Sequence, residues 1–314
     1  MRNILSSLGL VLVMVYQGVY AQDTLVQETY VKEIQSQLEV LASDELQGRE
    51  TGSKGLEKAS DYISAYFKTQ DIKPYYESYK DTFYLKKKVA YNVIAYIKGS
   101  SPYLKNEPVI IGAHYDHIGM IKAVDGDSIA NGANDNISGT VGVMQLAKRL
   151  KDSIPKRPIM FVLFDAEEQG LKGSTYLAEK LKSEDIKPYV IFNIEMIGVP
   201  LPDKPQQVYL TGYDKSNFAE LFNDYAESEA LIFSQQAQKM QLFKRSDNFP
   251  FYKSFKIPAH SVSSFDFTNY EYYHHVKDEA KLQNAEHINA LVKVWIKPIM
   301  EIANHTEKLI KLKE

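Results

Sequence analysis

The segment from Pro158 to Gly170 places the strongest constraint on what this chain can fold into. Residues 159–164 form a short, continuous apolar run, which is typical of a β-strand that is covered on both faces. Three carboxylates, Asp165, Glu167 and Glu168, follow this run directly. Because an unpaired buried carboxylate is energetically costly, a buried strand that ends in such a cluster requires partners for it.

Position at a strand end suggests what those partners are. In open α/β sheets, ligands bind in the crevice beyond the carboxyl ends of the strands. Consecutive side chains of an extended segment point in opposite directions, so one of Glu167 and Glu168 can bind a metal while the other stays free as a base. A solvated acidic turn fits the same pattern, and this segment alone does not separate the two interpretations.

Composition narrows the choice of partners and ligands. The 314 residues include 37 Lys and Arg against 40 Asp and Glu, which gives a formal net charge of −3. Both signs are mixed along the chain, so nothing indicates nucleic acid or an anionic membrane as a partner. The absence of cysteine excludes disulfides, thiolate zinc sites and cysteine nucleophiles. Any metal must therefore be held by His, Asp and Glu.

The first 21 residues read as a secretory signal peptide. Arg2 gives a basic start, an apolar run extends from Ile4 to Tyr16, and small residues lead to a cut after Ala21. The run is shorter than the ~20 apolar residues of a membrane span, so we expect no membrane anchor after cleavage. We therefore expect a secreted or periplasmic protein in which residues 22–314 form a single domain. Residues 22–88 would supply N-terminal helices and an edge segment packed on it.

Helical and strand patterns alternate along this domain, which indicates an α/β fold. Helices are predicted over Thr29–Ala42, Lys54–Lys68, Gly139–Leu150, Ser174–Leu181, Asn217–Glu229 and about Asn284–Leu309. Strands are predicted over Tyr91–Ile97, Val109–Ala113, Ile159–Phe164, Tyr189–Ile194, Val208–Thr211 and Ala259–Ser263.

Other strand ends carry candidate ligands as well. His114 and Asp116 follow strand 109–113 two residues apart, and a carboxylate beside an imidazole can fix its tautomer for metal binding. His117 is expected to support the site or contact substrate rather than bind metal. Asp135 lies in an Asn- and Gly-rich segment before a helix, where it forms either part of a turn or a bridge between two metals. Glu195 follows strand 189–194.

Taken in order, these pieces resemble the co-catalytic di-zinc aminopeptidase family, which includes bacterial leucyl aminopeptidases, glutamate carboxypeptidase, transferrin receptor and glutaminyl cyclases. The matching pieces are Gly-Ala-His114-Tyr-Asp116, Gly-Ala-Asn-Asp135-Asn-Ile-Ser-Gly, Asp-Ala-Glu167-Glu168-Gln-Gly, Asn-Ile-Glu195-Met-Ile-Gly, Arg-Ser-Asp247-Asn-Phe-Pro-Phe, and Tyr273-His274 with Asp278. The resemblance covers nearly all of residues 22–314. It implies a three-layer α/β/α sandwich on a mixed, mainly parallel central sheet.

The resemblance also implies a dinuclear zinc site. One zinc would take His114, Asp135 and Glu195, and the other would take Asp135, Glu168 and His274. A water would lie between the two ions, with Glu167 as its general base and Asp116 orienting His114. Two zinc ions per chain are expected, and one is the alternative. Candidate substrate-binding residues are Arg245, Asp247, Tyr272 and Tyr273.

Three departures from the family pattern affect this interpretation. The family usually has Asp where this chain has Glu195, which is one methylene longer and can change the metal spacing. It usually has His at the position of Asn248, and Thr-Pro where His275 and Val276 follow the metal-binding histidine. His274 aligns with that ligand, but the adjacent His275 leaves an alignment error of one residue open.

Three functions remain as hypotheses. The first is a zinc aminopeptidase that hydrolyses N-terminal peptide bonds; its side-chain preference, and whether it acts instead as a carboxypeptidase or dipeptidase, stay open. The second is a glutaminyl-peptide cyclotransferase with a single zinc. Those enzymes place a tryptophan just before the metal-binding histidine, where this chain has Tyr273. The third is a non-catalytic binding domain of the same fold. Peptides are the expected partners, and the oligomeric state is not predicted.

Overall fold

Apolar runs at the centre of the sequence form the centre of a large β-sheet in the computed structural model, which describes residues 25–313. The predicted signal peptide, residues 1–21, lies outside the described residues. The sheet has nine strands in the order β1-β3-β7-β4-β8-β11-β9-β10, and β2 pairs with β3 beside β1. The strands are β1 Lys73–Pro74, β2 Lys80–Leu85, β3 Lys88–Ile97, β4 Val109–His114, β7 Ile159–Phe164, β8 Val190–Ile194, β9 Val208–Leu210, β10 Leu231–Ile232 and β11 Ala259–Ser263.

The four central strands β7, β4, β8 and β11 are parallel to one another. Strand β3 joins this centre antiparallel on one side, and β9 joins it antiparallel on the other. Every residue of β4, β7, β8 and β11 is buried, as expected for parallel strands with helices on both faces. The predicted mixed, mainly parallel sheet is confirmed.

Helices cover both faces of the sheet and complete the three layers. They are α1 over residues 25–41, α2 Lys54–Thr69, α3 Gly139–Leu150, α4 Lys172–Ser183, α5 Phe218–Ala226, α6 Gln235–Lys239, α7 Asn248–Phe255 and α8 Ala285–Asn304. On β7, Phe161 and Leu163 face the core formed with α1, α2, α3, α5 and α8. Met160 and Val162 face the opposite core, formed with α4 and α7. Trp295 of α8 is fully buried against Phe192, with ring centroids 5.2 Å apart.

Several features of the chain differ from the sequence prediction, including the unpredicted helices α6 and α7. A hairpin of β5 Met120–Val124 and β6 Asp127–Ile129 follows β4 and was not predicted. Helix α8 ends at Asn304 rather than at Leu309. The chain leaves the helix because its last residues find other partners: Ile310 donates to Tyr189 Oη and Lys313 donates to the carbonyl of Lys215.

Among residues 25–313, every helix is too short or too polar to cross a membrane.

Candidate metal centre

The parallel strands deliver three predicted ligands to one edge of the sheet. His114 is the last residue of β4 and pairs in register with Phe164, the last residue of β7. Glu168 lies four residues beyond that end, and Glu195 directly follows the end of the neighbouring strand β8. Because the carboxyl ends of parallel strands share an edge, the sheet itself brings these side chains together.

One group of ligand atoms forms around His114. Its Nε2 lies 3.0 Å from Glu195 Oε1 and 3.4 Å from Asp135 Oδ1. On the other side of the ring, Nδ1 lies 3.1 Å from the backbone carbonyl oxygen of Asp116. This contact fixes the ring so that Nε2 faces the two carboxylates, as a metal-binding histidine requires.

A second group forms around His274. Its Nε2 lies 3.1 Å from Asp135 Oδ2 and 3.1 Å from Glu168 Oε1. His117 joins this group, with Nδ1 3.2 Å from Glu168 Oε1 and 3.9 Å from Asp135 Oδ2. The two groups share Asp135, which turns one carboxylate oxygen to each.

The spacing within both groups fits a metal ion. Tetrahedral zinc with bonds of 2.0–2.1 Å holds its ligand atoms ~3.3 Å apart, close to the observed separations. The ligand atoms of each group lie within 4.8 Å of one another, and all are nitrogen or oxygen. The structure therefore brings together all five predicted ligands in two adjoining groups whose donor atoms suit zinc.

The carboxylate of Asp116 holds the segment that carries the predicted base. Its Oδ1 accepts a hydrogen bond from the backbone N–H of Glu167 at 3.0 Å, and its Oδ2 accepts from that of Glu168 at 3.2 Å. Asp116 is fully buried. It therefore connects the end of β4 to the turn after β7, in addition to its predicted contact with His114 (Nδ1 to Oδ1, 3.6 Å).

The loop that carries Asp135 is fixed from two sides. The carboxylate of Asp278 accepts hydrogen bonds from the backbone N–H groups of Asn134 at 2.8 Å and Asp135 at 3.1 Å. Asn136 Oδ1 accepts from the backbone of Gly139 and of Met196, which ties this loop to the segment after Glu195. Asn136 thus holds the Asp135 loop against the segment that carries Glu195.

Arg49 is a supporting residue that the sequence analysis missed. Its guanidinium is fully buried and donates to the backbone carbonyls of Tyr115, Leu41, Asn131 and Gly132 at 2.7–3.1 Å. It therefore joins α1 to the segment after His114 and to the loop that leads to Asp135. Burial lowers its pKa to about 10, against nearby carboxylates that raise it. An arginine in a glycine-containing polar loop gives no periodic signal, so the pattern did not identify it.

The charged side chains of the two ligand groups stabilise one another electrostatically. Burial alone would raise the pKa of Glu168, but hydrogen bonds from His117 and His274 outweigh it and lower the pKa to about 2. The pKa of Asp135 is also lowered, by His114 and His274. Burial disfavours the cationic form of His274, but Asp135 and Glu168 outweigh this effect and raise its pKa to about 10. Opposite charges therefore help to hold these side chains together.

Glu195 is held by a chain of hydrogen bonds that contains two of the family departures. Its Oε2 accepts from Ser246 Oγ at 2.6 Å, and Ser246 Oγ accepts from Asn193 Nδ2 at 2.8 Å. Asn193 also donates to Ser261 Oγ, which donates to Asn248 Oδ1. Asn248 thus supports the buried network beneath Glu195 and lies outside both ligand groups.

A cleft with an empty volume of about 560 Å³ opens onto the ligands. Its walls include Glu167 and the predicted substrate-binding residues Arg245 and Tyr273. Asp247 and Tyr272 do not line it. Asp247 is fully buried at the start of α7, and burial raises its pKa to about 7, so it is not placed to touch a substrate in the cleft. The apolar lining residues are Met196, Tyr209, Leu242, Phe265, Phe267 and Tyr273.

Fold and site together define an α/β/α-sandwich protein with two adjoining groups of candidate metal ligands at the edge of its sheet. A family model, described as peptidase family M28, matches residues 92–298, which include both ligand groups. The chain belongs to this family, which confirms the resemblance found in the sequence.

Among relatives of known description, the aminopeptidase YwaD of Bacillus subtilis is 34% identical over 112 residues. A probable zinc metalloprotease of Pyrenophora teres is 36% identical over 116 residues. These matches cover 35% and 37% of this chain, and the chain spans only 22% and 23% of the length of these two relatives.

Solved structures confirm the fold over most of the chain. A zinc aminopeptidase from Bacillus subtilis matches with a TM-score of 0.69 at 15% identity, covering 88% of this chain and 96% of that one. A glutaminyl cyclase from Porphyromonas gingivalis matches with a TM-score of 0.67 at 15% identity, covering 88% and 98%. At this identity the two matches show the fold alone and do not separate the two activities.

Proposed function

We propose that this protein is a zinc-dependent exopeptidase, and most specifically an aminopeptidase that hydrolyses the N-terminal bond of peptides. The observation that carries the proposal is that Asp135 serves two ligand groups, while Glu167 lies on the wall of the same cleft. Membership of a peptidase family and the zinc-binding relatives support it.

Bound zinc would lower the pKa of a coordinated water and polarise the scissile carbonyl. Glu167 would act as the general base. Burial raises its pKa well above the ordinary value, and the nearby Asp247 and Glu195 raise it further against the opposing effect of His114. A carboxylate whose pKa lies closer to neutrality accepts a proton more readily. Asp116 fixes the backbone of Glu167, so the base keeps its position during the reaction.

The cleft suits one apolar side chain beside a polar backbone. Aromatic and aliphatic residues line much of it, so we propose preference for an apolar N-terminal residue. Tyr273 offers a hydroxyl donor: burial, together with Asp135 and Glu168, raises its pKa above the ordinary value, so the phenol stays protonated. Arg245 supplies a cation on the same wall for the developing negative charge.

Substitution of Glu167 by Gln tests the chemistry, because Gln keeps the size of the side chain and removes its basicity. We expect kcat to fall ~100- to 10,000-fold while the zinc content stays that of the wild type. The substrates are fluorogenic aminoacyl amides, each with a free or an acetylated N-terminus, and only the free forms should be cleaved. No hydrolysis by the zinc-loaded wild type, or full activity of Glu167→Gln, would contradict the proposal.

Cyclisation of N-terminal glutamine is the competing reaction on this fold. The chain's one tryptophan, Trp295, is buried in the core and contributes nothing to the cleft. The cleft therefore lacks the tryptophan wall expected of a glutaminyl cyclase. A glutaminyl peptide in the same screen decides the point: the account predicts release of free glutamine, and a cyclised peptide with one zinc per chain would favour the cyclase.

We also propose that the protein acts outside the cytoplasm. The support is the sequence of residues 1–21, with its basic start, apolar centre and small residues before Ala21. Cell fractionation of the native host, with N-terminal sequencing of the product, tests this; a cytoplasmic protein that still begins at Met1 would contradict it.

A further inference from the structure

We propose that His117 is a fourth protein ligand of the metal held by Asp135, Glu168 and His274, which makes the two metal positions unequal. This inference rests on the proposed function, since it concerns the same metal centre. It goes beyond the ligand set implied by the family resemblance, in which His117 has no metal-binding role.

The first support is where His117 directs its polar atoms. The side chain is 1% exposed, and its Nε2 has no hydrogen-bond partner among the described residues. All polar contacts of the ring therefore run through Nδ1, which lies 3.2 Å from Glu168 Oε1 and 3.9 Å from Asp135 Oδ2. These two oxygens are the atoms that His274 Nε2 approaches at 3.1 Å each.

The second support is the geometry of the four atoms as a set. They all lie within 4.8 Å of one another, and the separations of 3.1–3.2 Å are near the ~3.3 Å expected between ligands of tetrahedral zinc. The His117 and His274 rings meet nearly edge to face, at 74° with centroids 5.4 Å apart. The fourth separation, between His117 Nδ1 and Asp135 Oδ2, is 3.9 Å, so two imidazoles and two carboxylates gather their ligand atoms around one point.

The third support is that the His117 ring packs directly against the backbone of Gly132. Gly132 has a φ of 57°, and a Cβ added there would lie 2.5 Å from Cδ2 and 2.6 Å from Cγ of His117. The backbone N–H of His117 donates to the carbonyl of Arg49 at 3.2 Å. The ring therefore occupies space that any side chain at position 132 would fill, and its main chain is held by Arg49.

A difference between the two positions follows. The position around His274 would have four protein ligands, whereas the position around His114 has three, namely His114, Asp135 and Glu195. Four protein ligands complete a tetrahedral site, while three leave a coordination place open for water or substrate. We therefore expect the first equivalent of metal to enter the His117 position, and the exchangeable ion to be the one beside Glu195.

The experiment uses ¹¹³Cd²⁺ as the probe ion on full-length, ¹⁵N-histidine-labelled protein. A metal-bound imidazole nitrogen shows scalar coupling to ¹¹³Cd, so the spectrum counts the ligating nitrogens directly. With two equivalents we expect three coupled nitrogens: two of Nε2 type, from His114 and His274, and one of Nδ1 type, from His117. With one equivalent, the Nδ1 signal should already be coupled.

Two coupled nitrogens, both of Nε2 type, with His117 protonated at Nδ1, would overturn the inference and leave His117 as a hydrogen-bond donor to Glu168. Because this readout uses the wild type, it does not depend on the folding of a variant. Absence of any coupling and any bound zinc would instead refute the proposed function itself.

A variant pair provides the second readout. His117→Gln should weaken the tighter zinc site at least ~100-fold in competition with a chromophoric chelator, beyond the usual range for a supporting residue. The matched control is His275→Gln, since His275 belongs to neither ligand group and its Nδ1 accepts only from Lys277 N–H. The control should bind zinc as the wild type does; equal affinity of His117→Gln and wild type would overturn the inference.

Discussion

Two kinds of backbone segment carry the candidate ligands, and the protein holds them in different ways. His114, Glu168 and Glu195 stand at or just beyond the ends of buried parallel strands, whose pairing brings those ends to one edge of the sheet. Asp135 and His274 lie on loops, and a sheet cannot position those. A buried carboxylate, Asp278, connects the two loops.

Asp278 joins the two loops because it belongs to one and binds the other. It lies four residues after His274, and it accepts hydrogen bonds from the backbone of Asn134 and Asp135. Tyr270 donates to its Oδ1 at 2.7 Å, which fixes the carboxylate in turn. The comparison teaches that strand-borne ligands depend on the apolar core, whereas loop-borne ligands depend on a few buried polar contacts.

We expect the largest effect on zinc affinity from Asp278→Ala, which tests how the loop-borne ligands are held. It leaves the buried N–H groups of Asn134 and Asp135 without acceptors, at ~1–3 kcal/mol each, and frees both loop-borne ligands. We expect zinc affinity to fall ~10- to 100-fold, measured by chelator competition. The control is Asp152→Ala, since that side chain is 86% exposed and forms an ion pair with Lys151, outside both loops. Unchanged zinc affinity in Asp278→Ala would refute the role of Asp278.

We expect Asp116→Asn, which affects the segment after strand β7, to have a smaller effect, mainly on kcat/KM. The new amide can accept only one of the two hydrogen bonds from Glu167 and Glu168. Glu167 loses its fixed position, so kcat/KM should fall ~10-fold while zinc affinity falls less than in Asp278→Ala. Steady-state kinetics and chelator competition on the same preparation check this. A larger zinc loss in Asp116→Asn than in Asp278→Ala would reverse the comparison.

Ser246→Ala sharpens the comparison within the strand-borne ligands. Glu195 is one methylene longer than the Asp that the family usually has at this position. Ser246 donates to its Oε2 at 2.6 Å. Loss of this hydrogen bond should lower the affinity for the zinc ion beside Glu195 about 10-fold, which corresponds to the lower end of the ~1.5–3 kcal/mol that a hydrogen bond to a charged group contributes. Ser246→Thr keeps the hydroxyl and should restore the affinity. Equal binding in Ser246→Ala and wild type would show that strand register alone holds Glu195.

The same distinction explains what the sequence could predict. The continuous apolar runs located β4, β7 and β8 to within a residue, and each ends beside a candidate ligand because the run stops where the polar site begins. Helix α3 also matches its predicted bounds, Gly139–Leu150, since its apolar spacing is regular. The ligands at these strand ends needed only the rule that carboxyl ends of parallel strands share an edge.

Contacts between distant loops left no such pattern. Helix α7 was missed because Pro250 interrupts its sequence, although Pro is tolerated in the first turn of a helix. The involvement of His117 depends on the bend of the chain past Gly132, and the burial of Asp247 on the packing of α7. His274 was placed through the family resemblance alone, because nothing local distinguishes it from His275.

The central claim is that Asp135 serves two metal positions at once. The most direct test is the zinc content of purified protein after equilibration with limited free zinc, measured by mass spectrometry of the metal. The account predicts two zinc ions per wild-type chain and fewer than two in Asp135→Ala, because both positions lose the same ligand. One ion per wild-type chain, or two ions retained in Asp135→Ala, would contradict it.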